Sequence, residues 1–484
     1  MQDIHRQRVY HGALLAAFVL HVLHGISLPI LATYDGAEYL RLADVLGSPN
    51  FSAEWDFGRT PLYPALLKLS GWALGRQALA AQAPGLLLGF LGVWCVGASL
   101  RRLGHPVWAA LGLMALSFYP TLVTYEHTIL TESGSFFFLA LLLNVLTWQP
   151  ASGKLKTGAL VLVLIAAYYF RPTFLYLAPV VALLQAGPLW LQTWRSRRAG
   201  DVGGKAAYLP GAGHLAAVVL LPWVAAYPWN CALAASPRKD FAGEQMLFGL
   251  AKQAVIPPGH SVLGAQARAY EEAIHASLAD SHLPLAGVDT ARLWPIWVAL
   301  AANHRAEGGR IFREIACANP LRYVKGVVRT TLYFGGVSAH SDENRGFTNA
   351  VITTAADGSK VYCFTHPLEN VLKERLYQKT GRSLVGRVLN RLIPFYDLMI
   401  LAGVISTLVV FCIGLRRMDA RVLAFAALPL AHSAMFVLIL LSADRYAFPA
   451  YPIALANLCV LPCWVRWNRA GPRVREAQAP AGAI

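Results

Sequence analysis

Apolar runs long enough to cross a bilayer recur along this 484-residue chain, and clusters of arginine and lysine mark every second connection between them. Crossing roughly 30 Å of hydrocarbon takes about 20 apolar residues. Ten runs are candidates, some shortened by proline: 11 to 31, 78 to 99, 106 to 124, 131 to 148, 157 to 170, 172 to 190, 207 to 227, 397 to 415, 421 to 441 and 446 to 465. Charged residues make up only 14% of the chain, against about 25% in an average soluble domain, so a single soluble globule is excluded. The expected fold class is an α-helical polytopic membrane protein of about ten spans.

The formal charge of +16 invites a nucleic-acid reading until the basic residues are located. They lie between spans: Arg6 and Arg8; Arg101 and Arg102; Lys154 and Lys156; Arg195, Arg197 and Arg198; Arg416, Arg417 and Arg421; Arg466 and Arg469. Cytoplasmic connections carry such an excess, so the pattern predicts ten crossings of a cell (inner) membrane, both termini cytoplasmic, and no nucleic-acid partner. A cleaved signal in the first run would reverse nine later spans, which the alternation opposes.

The opposite, outer face carries two long connections, 32 to 77 and 231 to 396, and function is expected there. The chain therefore divides into a membrane module over 1–230, an outer-face domain over 231–396, a second membrane module over 397–470 and a disordered cytoplasmic tail over 471–484. Of seven cysteines, Cys95, Cys412, Cys459 and Cys463 lie in apolar runs. Cys231, Cys317 and Cys363 fall on the outer side, where a Cys317 to Cys363 bridge is conceivable. No metal-ligand spacing, Walker loop, dinucleotide fingerprint, GxSxG elbow or fixed-period repeat is present in the sequence.

The first outer connection opens Tyr34-Asp35-Gly36-Ala37-Glu38-Tyr39-Leu40-Arg41. On a helix, Tyr39, Leu42, Ala43 and Leu46 share one face, and Glu38, Arg41 and Asp44 the other, which predicts a helix lying flat at the membrane surface with Asp35 just before its first turn. Asp35 is either a helix cap or a working carboxylate at headgroup height. Farther on, Arg59-Thr60-Pro61-Leu62-Tyr63-Pro64 leads into a short apolar helix before Gly75. Arg59 there suits either a lipid phosphate or a snorkelling role.

With Leu130-Thr131-Glu132-Ser133 opening the fourth span, Arg171-Pro172-Thr173, Pro228-Trp229-Asn230, and Arg445-Tyr446 before Pro449 and Pro452, the order of motifs resembles the polyprenyl-phosphate-sugar-dependent glycosyltransferases of GT-C type. It is similar to the branch of protein O-mannosyltransferases and lipid A aminoarabinose transferases. The resemblance covers most of the membrane part; in the insertion only Asn319-Pro320-Leu321-Arg322-Tyr323 is reminiscent, and generically so. Many members carry adjacent acids in the first loop, where this chain separates Asp35 from Glu38, and one branch has a lysine where Thr60 stands behind Arg59.

The resemblance implies a GT-C-like fold with interfacial helices in the first outer loop and a mixed outer domain. It implies sugar transfer from a polyprenyl-phosphate donor to a glycan, lipid or protein acceptor, with inversion, in contact with membrane lipid. Asp35 would be the general base, with Glu38 the second acid of that loop and Glu132 assisting. Arg59, His127, Arg171, Arg445 and Tyr446 would bind lipid phosphate or sugar. No cofactor is expected and no metal site; the donor brings the energy. Two other classes compete: a transporter or lipid flippase, expected to carry ionisable groups at the midplane and an internal repeat, and an outer-face glycan ligase or polymerase. Ion pairs between Glu132 and Arg171 or Arg445 would also satisfy the charges structurally.

Overall fold

A computed structural model describes residues 2–28, 34–55, 58–75, 78–150, 152–186, 212–236, 241–253, 304–334, 351–354, 360–363, 384–417, 419–440 and 444–469, with a few residues between 255 and 268. The tail over 471–484, the basic cluster Arg195, Arg197 and Arg198, and much of 231–396 lie outside the described residues.

The chain is a helical, multi-pass membrane protein. Among the described residues seven helices are long and apolar enough to cross a bilayer, and a bent pair counts as an eighth if it forms one span. In chain order the first elements are α1 (Gln2–Ser27), α2 (Tyr34–Val45), α3 (Phe51–Glu54), α4 (Leu62–Leu74), α5 (Ala78–Arg102), α6 (Pro106–Ser117), α7 (Pro120–His127), α8 (Glu132–Thr147) and α9 (Gly153–Phe170). There follow α10 (Pro172–Ala186), α11 (Ala212–Ala234), α12 (Phe241–Lys252), α13 (Gly308–Ala318) and α14 (Pro320–Phe334). The last are α15 (Leu384–Arg417), α16 (Ala420–Leu438), α17 (Asp444–Ala447) and α18 (Tyr451–Arg469).

Several expected runs are corrected by local chemistry. The run 106 to 124 is no straight span, since α6 and α7 meet at 57°. Pro120 forces Tyr119 out of the helical region, to φ −70° and ψ 110°, and contributes no N–H of its own. The fourth and sixth runs are helical but short: α8 has 16 residues, and α10 opens as a 3-10 turn over Pro172–Leu177. The count of ten full crossings is therefore not reached among the described residues. The run 397 to 415 lies within the 34-residue α15, so residues 384 to 396 are the first turns of a helix whose apolar stretch long enough to cross a bilayer begins at Arg391.

The remaining described part of 231–396 is mixed, with α12 to α14 and an antiparallel pair of strands, Val351–Thr354 and Lys360–Cys363. Cys317 is exposed and unbridged, and Cys412, expected in a buried apolar setting, is also exposed.

One apolar core runs through the bundle, from Leu88, Val93 and Val96 of α5 across Phe136 and Leu139 of α8 to Phe425 of α16 and Trp464 of α18. Its two ends differ. Arg102 at the end of α5 donates to the Asn144 carbonyl (2.7 Å), and Lys156 at the start of α9 donates to that of Leu146 (2.7 Å). The other end holds the start of α5, the start of α8, the end of α9 and the first connection, and it carries the candidate site.

That connection forms the two expected helices. α2 turns Leu42 and Ala43 inward and packs on α4, which stops at Gly75 in a left-handed conformation (φ +77°). Leu42 and Val45 cluster with Trp55, so the apolar face of α2 is turned to protein. Asp35 falls within the first turn of α2, as its second residue, and not just before that turn.

At Gly85 of α5 a β-carbon would collide with the carbonyl of Glu126 on α7, backbone that has no way to swing aside. Gly85→Val should lower the melting temperature in detergent, overpacking of this kind costing about 1–3 kcal/mol. Gly12→Ala, with open space around it inside α1, should not lower the temperature, since alanine favours the helix over glycine.

Candidate functional site

Two arginine–carboxylate pairs at the site end join segments far apart in the chain. Arg59 is placed by the turn before α4, where the Trp55 indole N–H donates to the Arg59 carbonyl (3.1 Å). Its Nη2 then lies 2.6 Å from Oδ1 of Asp35, both side chains about a fifth exposed. Asp35 gains further from the positive end of α2. The guanidinium also sits over the Tyr39 ring at 4.7 Å. Burial disfavours its charge, but the Tyr39 oxygen and the Asp35 carboxylate outweigh that and hold Arg59 above its ordinary pKa. It is a permanent cation.

The second pair is made where α9 ends. Pro172 holds Arg171 extended (φ −153°, ψ 118°), which terminates the helix and leaves a cation at its negative end. Arg171 Nη1 lies 3.6 Å from Oε1 of Glu132, the buried first residue of α8, and 3.3 Å from Oγ of Ser135. Its guanidinium rests over the Tyr446 ring at 5.1 Å and the Phe436 ring at 6.0 Å, rings that stack at 4.7 Å. Three separate segments thus hold one cation.

Aromatic side chains connect the pairs. Tyr39 meets Tyr63 edge-on at 5.0 Å, and Tyr63 meets Phe170, the neighbour of Arg171, at 5.5 Å. Burial, with Tyr39 and the Glu132 carboxylate adding to it, holds the Tyr63 phenol protonated well above its ordinary range. An apolar cleft of about 340 Å³ separates α4 from α5, lined by Leu66, Leu69, Ala73, Leu74, Pro84 and Leu87. Leu69 and Leu87 are both exposed, so the cleft opens sideways.

The expected site residues are distributed as follows. Asp35, Arg59, Glu132, Arg171 and Tyr446 belong to the two pairs. Glu38 is held in a two-point fork by Arg41, at 2.6 and 2.9 Å, and Arg41 in turn grips the Glu54 carbonyl. His127 is fully buried with its Nδ1 2.7 Å from Nε2 of Gln82. Arg445 has its backbone on α17, and its side chain lies outside the described residues.

Comparison with solved structures finds ArnT from Cupriavidus metallidurans bound to undecaprenyl phosphate, at 13% identity and TM-score 0.36 over 94% of this chain and 77% of that one. It also finds the oligosaccharyltransferase from Archaeoglobus fulgidus tethered with an acceptor peptide, at 12% identity and TM-score 0.41 over 97% of this chain and 52% of that one. No role is transferred at likenesses this low. No protein-family model matches the chain, and no curated protein does.

Sequence reasoning missed a further polar group. His21 Nε2 lies 2.9 Å from Oε1 of the fully buried Glu126, with the His24 ring 6.0 Å from that of His21. Gly85 and Gly89 of α5 lie against Glu126, and their Gly-x-x-x-Gly spacing was the available signal. Among the described residues no three His, Cys, Asp or Glu side chains converge closely enough to hold a metal ion.

If Asp35 and Arg59 act as one unit, Asp35→Asn and Arg59→Gln should be non-additive in thermal unfolding. The double variant should be less destabilised than the sum of the singles by about 1 kcal/mol or more. Strict additivity would mean that the pair contributes nothing.

Proposed function

We propose that the chain is a membrane glycosyltransferase of GT-C type that moves a sugar from a polyprenyl-phosphate donor to an acceptor hydroxyl or amine. One observation carries the reading: at one end of a membrane bundle the pairs Asp35–Arg59 and Glu132–Arg171 are linked by the row Tyr39, Tyr63 and Phe170, and an apolar cleft opens between α4 and α5 at the exposed Leu69 and Leu87. A charged headgroup on a tail that stays in lipid needs that combination of cations and side entrance. The order of motifs along the chain supports the same class.

The donor phosphate competes with Asp35 for Arg59. An arginine fork binds phosphate oxygens as readily as carboxylate, so donor entry frees the Asp35 carboxylate. The acceptor then attacks the anomeric carbon, its proton passes to Asp35, and the bond from that carbon to the phosphate oxygen breaks. Polyprenyl phosphate leaves with the bonding electrons, and Arg59 and Arg171 balance its charge. Tyr446 supports Arg171 from beneath, and Glu132 orients it. A single displacement inverts the anomeric centre. Glu38, tied to Arg41, positions α2 against α3, and His127 braces the start of α5 through Gln82.

The end bearing Arg102, Lys156 and Arg421 faces the cytoplasm of a cell membrane in this reading, and the site faces outward. A cysteine at the exposed position of Asn50, in a background without native thiols, is expected to react with an impermeant reagent on intact cells. One at Ser152 should react only after permeabilisation. The reverse pattern overturns the orientation.

Asp35→Asn should insert and fold normally, yet transfer sugar from a polyprenyl-phosphate donor about 10²- to 10⁴-fold more slowly, the span typical of a general base. Unchanged turnover would remove Asp35 from the reaction. Accumulation of substrate in sealed vesicles without covalent product would instead show a transporter.

A further inference from the structure

Most exposed large apolar side chains of the protein lie on helices that cross the membrane, but four lie on α14, which is not among the spans. Leu321 is 78% exposed, Val324 53%, Val328 51% and Leu332 43%. Their spacing of three, four and four residues sets them in one stripe along the helix. Water-facing stripes of this kind mark surfaces that are covered in use.

The rest of the helix shows what covers it. Tyr323, Gly326, Val327 and Thr330 occupy the side opposite the stripe and hold α14 to the bundle. The Tyr323 hydroxyl donates to the Leu438 carbonyl at the end of α16 (2.8 Å), Gly326 abuts Leu440, and Thr330 is fully buried. Thr331 reaches farther, to the wall of an apolar cleft of about 310 Å³ formed with Val404, Pro429, Val437 and Tyr451 of membrane helices. The helix therefore runs along the end of a span. Between the stripe and the protein-facing side is a third sector, Arg322, Lys325 and Arg329, and α14 carries no acidic residue. Lys325 is exposed, and one donor of Arg329 goes to the Gln253 carbonyl (3.2 Å).

We infer that α14 is an interfacial helix that lays its Leu321, Val324, Val328 and Leu332 stripe into the bilayer and holds anionic phospholipid headgroups with Arg322, Lys325 and Arg329. The geometry suits the boundary: one side on protein, one in acyl chains, and the basic sector about a quarter-turn away at headgroup height. The basic sector brings positive charge along the helix and the helix itself brings no acid, a pattern that an anionic lipid surface matches along its length. The helix would then fix the connection between α13 and the bundle at a set height above the membrane.

The test uses the full chain with native cysteines replaced and one spin label, at Val328→Cys or at Lys325→Cys. The protein is reconstituted in phosphatidylcholine vesicles with or without phosphatidylglycerol. In the anionic vesicles the label at 328 should be relaxed by oxygen in preference to a water-soluble nickel complex, and the label at 325 should show the opposite. Omitting phosphatidylglycerol, or adding Arg322→Gln and Arg329→Gln, should raise nickel access at 328 about tenfold, the least that loss of several cation contacts with an anionic surface should produce. Val324→Cys serves in place of Val328→Cys if the latter elutes aggregated. Nickel access at 328 in anionic vesicles overturns the proposal, as does a label that neither reagent reaches, which would mean that protein covers the stripe. Access that ignores lipid charge overturns the headgroup contact. The readout involves no sugar transfer, so it fails or succeeds independently of the enzymatic reading.

Discussion

An ionised side chain near hydrocarbon must be paired or wetted, because exposure to acyl chains costs it several kcal/mol. The site end is built around that constraint. Arg59 is matched by Asp35, Arg171 by Glu132, and both guanidiniums lie over tyrosine rings. Three of the four charges are placed where a helix begins or ends, so the backbone contributes to holding them. Asp35 and Glu132 sit in first turns, and Arg171 follows the last turn of α9.

The same arrangement provides the chemistry in the proposed reading. Charges that are satisfied by one another at rest are available to a ligand that brings a better match, and a phosphate is such a ligand for an arginine fork. The carboxylate released by that exchange is then a base beside the incoming acceptor. Positioning comes from rigid sources: the Pro172 break, the Trp55 hydrogen bond to the Arg59 carbonyl, and the stacked Phe436 and Tyr446.

Much of this could be read from the sequence, for identifiable reasons. Apolar length locates seven of the runs as helices long enough to cross a bilayer among the described residues, since that length follows from the bilayer's thickness. The helices of the first connection were legible because Tyr39, Leu42, Ala43 and Leu46 keep helical spacing and Gly75 ends the second. The break at Pro120 was not read from a run that is apolar on both sides of it, nor was the start of α15 at Leu384, whose first turns mix Arg387 and Arg391 with apolar residues. Partner choice was the least legible. Nothing local distinguishes Glu132 pairing with Arg171 from pairing with Arg445, nor shows that Glu38 turns to Arg41, nor that Glu126 on α7 meets His21 on α1. Those contacts depend on how helices far apart in sequence dock.

The central claim is that Arg59 and Arg171 hold a lipid-borne phosphate, and equilibrium binding tests it most directly. Purified protein should bind farnesyl phosphate and bind farnesol far more weakly. Arg59→Gln and Arg171→Gln should each weaken the phosphate lipid by about tenfold or more, since a charge-assisted hydrogen bond is lost. Equal affinity for the two lipids, or full binding by both variants, would contradict the account.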